Sequence, residues 1–204
     1  TEGGGTVINA KEWLEKPGSV GLPWPGSEIR IYDDEGNRLG AGQIGTVYMQ
    51  LMADFEYKGD SAKTKANRIE NFFTVGDLGE LDEDGYLFLR DRKADMIISG
   101  GVNIYPAEIE GELINHPAVQ DVAVFGIPNA DWGEEIKAVI ELHEGFEAGD
   151  ELAAEILAWA GTRMGKFKLP RTIDFVETLP REPNGKLIKR KLRDPYWEGI
   201  DRQI

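Results

Sequence analysis

Residues 91–110 read DRKADMIISGGVNIYPAEIE, and this stretch decides how the chain divides and what its second half looks like. Two short apolar runs, one with Ile97 and Ile98 and one with Val102 and Ile104, flank Gly100-Gly101. Paired glycines between β-branched residues predict a hairpin, because glycine takes positive φ at little cost. Pro106 follows, with its φ already set for the first turn of a helix. That helix is expected to run through AEIEGELINH (107–116), with Ile109 and Leu113 four apart and Pro117 stopping it. Ahead of the hairpin lies the polar segment Asp91–Asp95. The chain has no Gly/Ser-rich linker, so a domain boundary must be a short hinge, and this segment is its place. The expected division is residues 1–91 and residues 92–204.

Downstream, Val119–Phe125 and Ile136–Leu142 read as strands. A second helix is expected to begin at Asp150 as its N-cap and to place Leu152, Ile156 and Trp159 on one face. Thr172–Val176 completes a strand–helix–strand–strand–helix–strand succession, a small α+β unit. Upstream the pattern is β-rich. Ile29 and Ile31 alternate with Arg30 and Tyr32, which suits a half-buried strand, and Thr46–Met49 resembles another. Asp84-Gly85 between two apolar-rich runs is a hairpin signal. The fold class is therefore α+β, a β-rich piece followed by a short antiparallel sheet flanked by helices.

Composition narrows the function. The 204 residues carry a formal net charge of −14 and contain no cysteine. Disulfides, thiolate metal ligands and a thiol nucleophile are excluded. No apolar run reaches membrane-spanning length and no signal peptide opens the chain, so a cytoplasmic location is expected. Charge is uneven, with 10 of the 23 Lys and Arg in residues 163–193 against three acids, while residues 93–162 hold 14 acids and two lysines. A nucleic-acid surface would seldom be surrounded by so much repulsive charge, whereas a focused site for a small anion fits. His116 and His143 lack spaced carboxylate partners of metal-site type and read as structural or surface residues. Trp197 is a candidate anchor for the tail.

Four ordered stretches, TEGGG (1–5), TVGDLG (74–79), DRKADMIISGGVNIYPAEIE (91–110) and PREPNGKLIKRKLR (180–193), resemble the later motifs of the adenylate-forming superfamily. That superfamily holds acyl-CoA synthetases, luciferase-like enzymes and peptide-synthetase adenylation domains, and the wording of 95–110 resembles its fatty-acyl-CoA ligase branch more than its amino-acid-activating one. The resemblance implies ATP and coenzyme A as co-substrates, Mg²⁺, and a small-molecule carboxylic acid. It makes residues 1–91 the end of a large domain and residues 92–204 its small mobile lid. Lys186, at the tip of the Pro183-Asn184-Gly185 turn, becomes the lysine that bridges carboxylate and phosphate during adenylation. Asp77 and Arg92 become the ribose-binding pair. Thr1 touches the α-phosphate, Glu2 helps hold the metal, Gly101 lines the path of the pantetheine arm, and Ala94 is the hinge. Two positions depart from the pattern: Val75 stands where relatives have Thr, and Ala94 where they commonly have Asp or Lys.

In this reading Leu187, Ile188 and Leu192 pack inward, and Lys189, Arg190, Lys191 and Arg193 stay wet. TEGGG opens in mid-motif, so the chain is expected to be the carboxy-terminal part of a longer protein. Its phosphate loop and most of its acyl pocket would then lie upstream, and the chain would be inactive alone. Two rivals stand beside this reading. One is an adenylation domain that loads a carrier protein; the other is a non-catalytic binding module of the same descent. Pro180 to Lys186 also spells a P-x4-G-K pattern like acetylation sites in bacterial relatives.

Overall fold

The computed structural model describes residues 4–50, 56 and 59–200. It forms two compact units, Thr1–Ala94 and Asp95–Ile204. Both mix short helices with mainly antiparallel sheet, so the α+β class holds.

In the first unit, β1 (Thr6–Val7) pairs with β2 (Leu22–Pro23), and α1 (Ala10–Glu15) lies between them. Asn9 and Glu12 close a capping box on α1, each side chain accepting from the other's backbone N–H at 3.0 Å. The main sheet runs β5 (Arg68–Ile69), β6 (Phe72–Phe73), β4 (Gly45–Gln50), β7 (Asp77–Leu81), β8 (Leu87–Arg92), and β3 (Ile29–Tyr32) also pairs with β4. A short helix, α2 (Ser61–Ala66), precedes β5. Ile29, Ile31, Val47 and Leu87 form the core. The Ile29/Ile31 face is buried as the alternation requires, but the opposite face is not simply wet. Tyr32 is also buried and meets Tyr48 edge-on at 5.2 Å, while the Arg30 guanidinium lies 4.0 Å from the Phe72 ring centre. An aromatic layer covers what a two-state alternation assigns to solvent.

The second unit begins with the expected hairpin, β9 (Ile97–Ser99) and β10 (Val102–Ile104), turned at Gly100 and Gly101 with φ of +59° and +79°. The helix α3 (Pro106–Leu113) has Pro106 at its first position and buries Ile109 and Leu113 completely. Each such side chain contributes roughly 1.5–3 kcal/mol. The helix ends three residues before the expected His116. Proline disfavours a helical residue before it, and the chain leaves through a turn in which the His116 amide donates to Leu113 O and His116 Nδ1 accepts from the Ala118 amide at 3.2 Å. His116 is buried, 3.9 Å from Glu155, and edge-on to Trp159.

The two central strands are longer than the apolar runs suggested. β11 (Val119–Asn129) and β12 (Gly133–Leu142) pair as one long hairpin, with a bulge between Val119 and Asp121. Pro128 and Glu134 interrupt the apolar pattern yet stay in register, so hydropathy alone cut both strands short. The second helix, α4 (Asp150–Ala160), is capped by Gly149, not by Asp150, which is its first helical residue. The acid there still faces the helix's positive end. Ile156 is fully buried, with Leu152 and Trp159 packed beside it. A one-turn 3₁₀ segment, Lys166–Lys168, then leads to β13 (Thr172–Val176), which joins β12 in parallel. The sheet order is β10-β9-β12-β11, leaving β11 at an edge. No helix among the described residues is long and apolar enough to cross a membrane.

Candidate functional site

Asp77 and Arg92 are brought together by strand register. β7 and β8 pair antiparallel with Asp77 opposite Arg92, and Arg92 Nε lies 3.6 Å from Asp77 Oδ1. Such opposed residues present their side chains on one face of a sheet. Asp77 is about one-quarter exposed and Arg92 about one-half, so an acceptor and a fork of donors open together to solvent. The turn before Asp77 is fixed by Thr74, whose buried hydroxyl accepts from the Gly76 amide at 3.0 Å, while Gly76 O accepts from the Lys93 amide at 2.8 Å. Val75 is exposed. The hydroxyl absent at position 75 has a neighbour at 74, but that one is used inside the turn.

Lys186 belongs to a small hairpin closed on itself. Arg181 and Leu187 bridge, Glu182 N donates to Lys186 O at 2.8 Å, and Ile188 N donates to Pro180 O at 2.8 Å. Gly185 takes φ of +85°, its amide donating to Glu182 O, and Asn184 Oδ1 accepts from the Lys186 amide at 3.0 Å. This is the chemistry a Pro-Asn-Gly turn supplies. The Lys186 side chain is exposed and enters no ion pair among the described residues. The hairpin stands on a firm base, because Leu187 and Leu192 pack against the cluster of Ala123, Phe125, Val139 and Leu179.

The basic segment after it is only partly wet. α5 (Lys189–Arg193) exposes Arg190 and Lys191. Lys189, 14% exposed, sits 2.7 Å from Glu110 Oε1, and Arg193, 17% exposed, lies 3.5 Å from Asp95. Expecting all four cations in solvent was therefore wrong for two of them. Hydropathy cannot see that Glu110 on α3 offers Lys189 a largely buried carboxylate and that Asp95 offers Arg193 another, so these cations find partners instead of water. Glu110 Oε1 also accepts from the Val124 amide at 2.7 Å. One carboxylate thus ties α3, the edge of β11 and α5 together.

Gly101 sits in the left-handed region with open space where a Cβ would project. Gly100 beside it is crowded, since a Cβ there would come within 2.5 Å of the Trp132 ring. Trp132, about half exposed, was not singled out by sequence reasoning; its place in the turn between two strands was the available signal. Together with Phe167, Arg171 and Val102 it lines a small cavity of about 140 Å³ beside the glycine turn. A second cavity of about 560 Å³ lies between the β11–β12 turn and Trp197. Trp197 does anchor the tail, its Nε1 donating to Gly126 O at 3.0 Å. Ala94 is exposed in a one-turn 3₁₀ helix, Lys93–Asp95. Thr1 and Glu2 lie outside the described residues. Among the described residues no three His, Cys, Asp or Glu side chains group as a metal site, so the Mg²⁺ expectation rests on Glu2 alone.

Residues 108–186 match the AMP-binding enzyme C-terminal domain. Across 98% of its length the chain is 38% identical to a long-chain-fatty-acid–CoA ligase of Mycobacterium tuberculosis, covering 39% of that protein. It is 35% identical to a fatty acid–[acyl-carrier-protein] ligase of Streptomyces coeruleorubidus, covering all of this chain and 40% of that one. ATP-bound MatB from Rhodopseudomonas palustris superimposes with a TM-score of 0.81 at 37% identity, over 91% of this chain and 37% of that one. The chain spans about two fifths of the length of the curated relatives it matches.

Proposed function

Because residues 108–186 belong to the AMP-binding enzyme C-terminal domain family and the chain's relatives are adenylate-forming enzymes, we propose that the full protein is an ATP-dependent acyl-CoA ligase. A carboxylate oxygen of the acid attacks the α-phosphorus of ATP, and the bond to pyrophosphate breaks with its electron pair leaving on that group. The thiol of coenzyme A then attacks the acyl carbon, and AMP departs.

The observation that supports this reading most directly is the Lys186 tip. The first step brings two anions together, and a cation held where negative charge builds up lowers its barrier. Lys186 is an exposed ammonium with no carboxylate to neutralise it among the described residues, set on a rigid hairpin. Asp77 would accept from the ribose hydroxyls and Arg92 would donate from the other side; their opposed register fits a vicinal diol. Magnesium would be held by Glu2, with Thr1 on the α-phosphate, and when bound supplies positive charge to the phosphates. Gly101 would border the pantetheine path, supported by the open space before its Cα. Ala94 would be the hinge about which residues 95–204 reorient between half-reactions; the division of the two units after Ala94 agrees with this.

The experiment separates the half-reactions in the full-length protein. Lys186→Ala should lower acid-dependent pyrophosphate release by roughly 100-fold or more and spare thioester formation from supplied acyl-AMP. Equal loss in both would make Lys186 structural. The Streptomyces relative acts on a carrier protein by its name, which favours a second reading in which the acceptor thiol belongs to such a protein. Offering coenzyme A and a thiol-bearing carrier protein side by side decides between them.

A further inference from the structure

We propose that Arg181 is a positioning residue for Lys186, a strut that fixes the hairpin tip to the central sheet; this rests on the reading of Lys186 as the adenylation cation. The Arg181 guanidinium bonds in two directions. Nη1 donates to the carbonyl of Gly185, the residue before Lys186, at 2.5 Å, and Nη2 pairs with Asp121 Oδ2. Asp121 is itself fixed. It sits at the β11 bulge, three-quarters buried, and its other oxygen accepts from the Val122 amide at 2.9 Å. A bulge re-aims a side chain out of the regular ladder, and here it turns a carboxylate toward the hairpin. The path from sheet to lysine is therefore short: Asp121, Arg181, Gly185 carbonyl, Lys186.

Leu187 and Leu192 hold only the base of the hairpin. The tip buries no side chain of its own, since 182–186 are all exposed. Without the strut, the tip is left to its own turn hydrogen bonds alone, so it opens more often and loses its aim. Arg181 is 42% exposed, and pairs this exposed add little to global stability. The work of the strut is thus confined to where the ammonium points. Lysine cannot replace it fully, because a single ammonium lacks the fork that reaches carbonyl and carboxylate together.

The test uses the full-length protein with Arg181→Met, Arg181→Lys, Asp121→Asn and the double variant Arg181→Met/Asp121→Asn. Arg181→Met should lower acid-dependent pyrophosphate release roughly 10- to 100-fold, the scale of misplacing a reacting group by about 1 Å. Thioester formation from supplied acyl-AMP and the thermal midpoint should hardly change. Arg181→Lys should recover part of the loss, and the double variant should be no worse than Arg181→Met alone. Amide exchange at Lys186 should quicken in Arg181→Met even where activity cannot be measured. Adenylation left intact by Arg181→Met, equal loss in both half-reactions, unchanged exchange at Lys186, or independent multiplication of the two single losses would each overturn the strut. Lys186→Ala, run alongside, tells the two ideas apart: if it is selective for adenylation and Arg181→Met is not, only the strut falls; if it is not selective, both fall.

Discussion

Glu110 is where the fold of the second unit is most exposed to a single lesion. Its Oε1 accepts from the Val124 amide and pairs with Lys189 Nζ, both at 2.7 Å. Val124 is fully buried, Lys189 is 14% exposed and Glu110 20%. Glu110→Ala therefore leaves a buried amide and a largely buried ammonium without their acceptor. A hydrogen bond to a charged group contributes about 1.5–3 kcal/mol, and orphaning one partner of a buried ion pair costs about 3–5 kcal/mol. Lys189 is long enough to swing its head partly into water, so the smaller figure governs and the total should be about 3 kcal/mol. Glu110→Gln keeps an acceptor for Val124 and should cost about half as much. Urea denaturation gives the total. Native amide exchange at Val124 should quicken roughly 100-fold in the alanine variant, since each 1.4 kcal/mol is tenfold. A double-mutant cycle with Lys189→Met should return a coupling of at least about 1 kcal/mol. Exchange at Val124 within about fivefold of the parent, or a Glu110→Ala cost unchanged in the Lys189→Met background, would refute the reasoning.

Two further outcomes follow from the same geometry. In the first unit the Glu28 carboxyl is held below its ordinary pKa, chiefly by the Arg30 hydrogen bonds at 2.8 and 3.0 Å, with Arg38 adding to them. Its contribution to stability is therefore fully present above the ordinary glutamate range and is lost as pH falls through the depressed folded-state value; Arg30→Met should raise the Glu28 pKa in an NMR titration and move acid unfolding of that unit to higher pH. In the second unit Trp197→Phe removes the donor to Gly126 O and should cost about 1 kcal/mol, read as a lower urea midpoint with an unchanged slope.

Much of this architecture was legible before any coordinates. Glycine pairs, Pro106 and the Ile109/Leu113 spacing located β9, β10 and α3 because each acts through local backbone preference. Asp77 and Arg92 were named as a pair on resemblance; that they face each other across a hairpin depends on register, which the Asp84-Gly85 turn begins and a bulge between Leu78 and Gly79 then shifts by one residue, and no single residue spells that out. Reading ran out where the deciding neighbour is remote in sequence. Lys189 and Arg193 looked like solvated charge because Glu110 and Asp95 lie far upstream. Arg181 looked like one more member of a basic run because its partner, Asp121, lies 60 residues away. Gly149 took the cap expected of Asp150 because the strand-to-helix loop bends one residue earlier than side-chain preference suggested.

Among the described residues, the rim of β11 is closed by side chains and not by another strand. Glu110 takes the Val124 N–H, and Trp197 donates to the Gly126 carbonyl two residues on. A bare border of that kind is an invitation to strand addition from a second molecule. Glu110 and Trp197 together act as a seal against self-association, and a variant lacking both would be expected to come out of solution through this border before its core has melted.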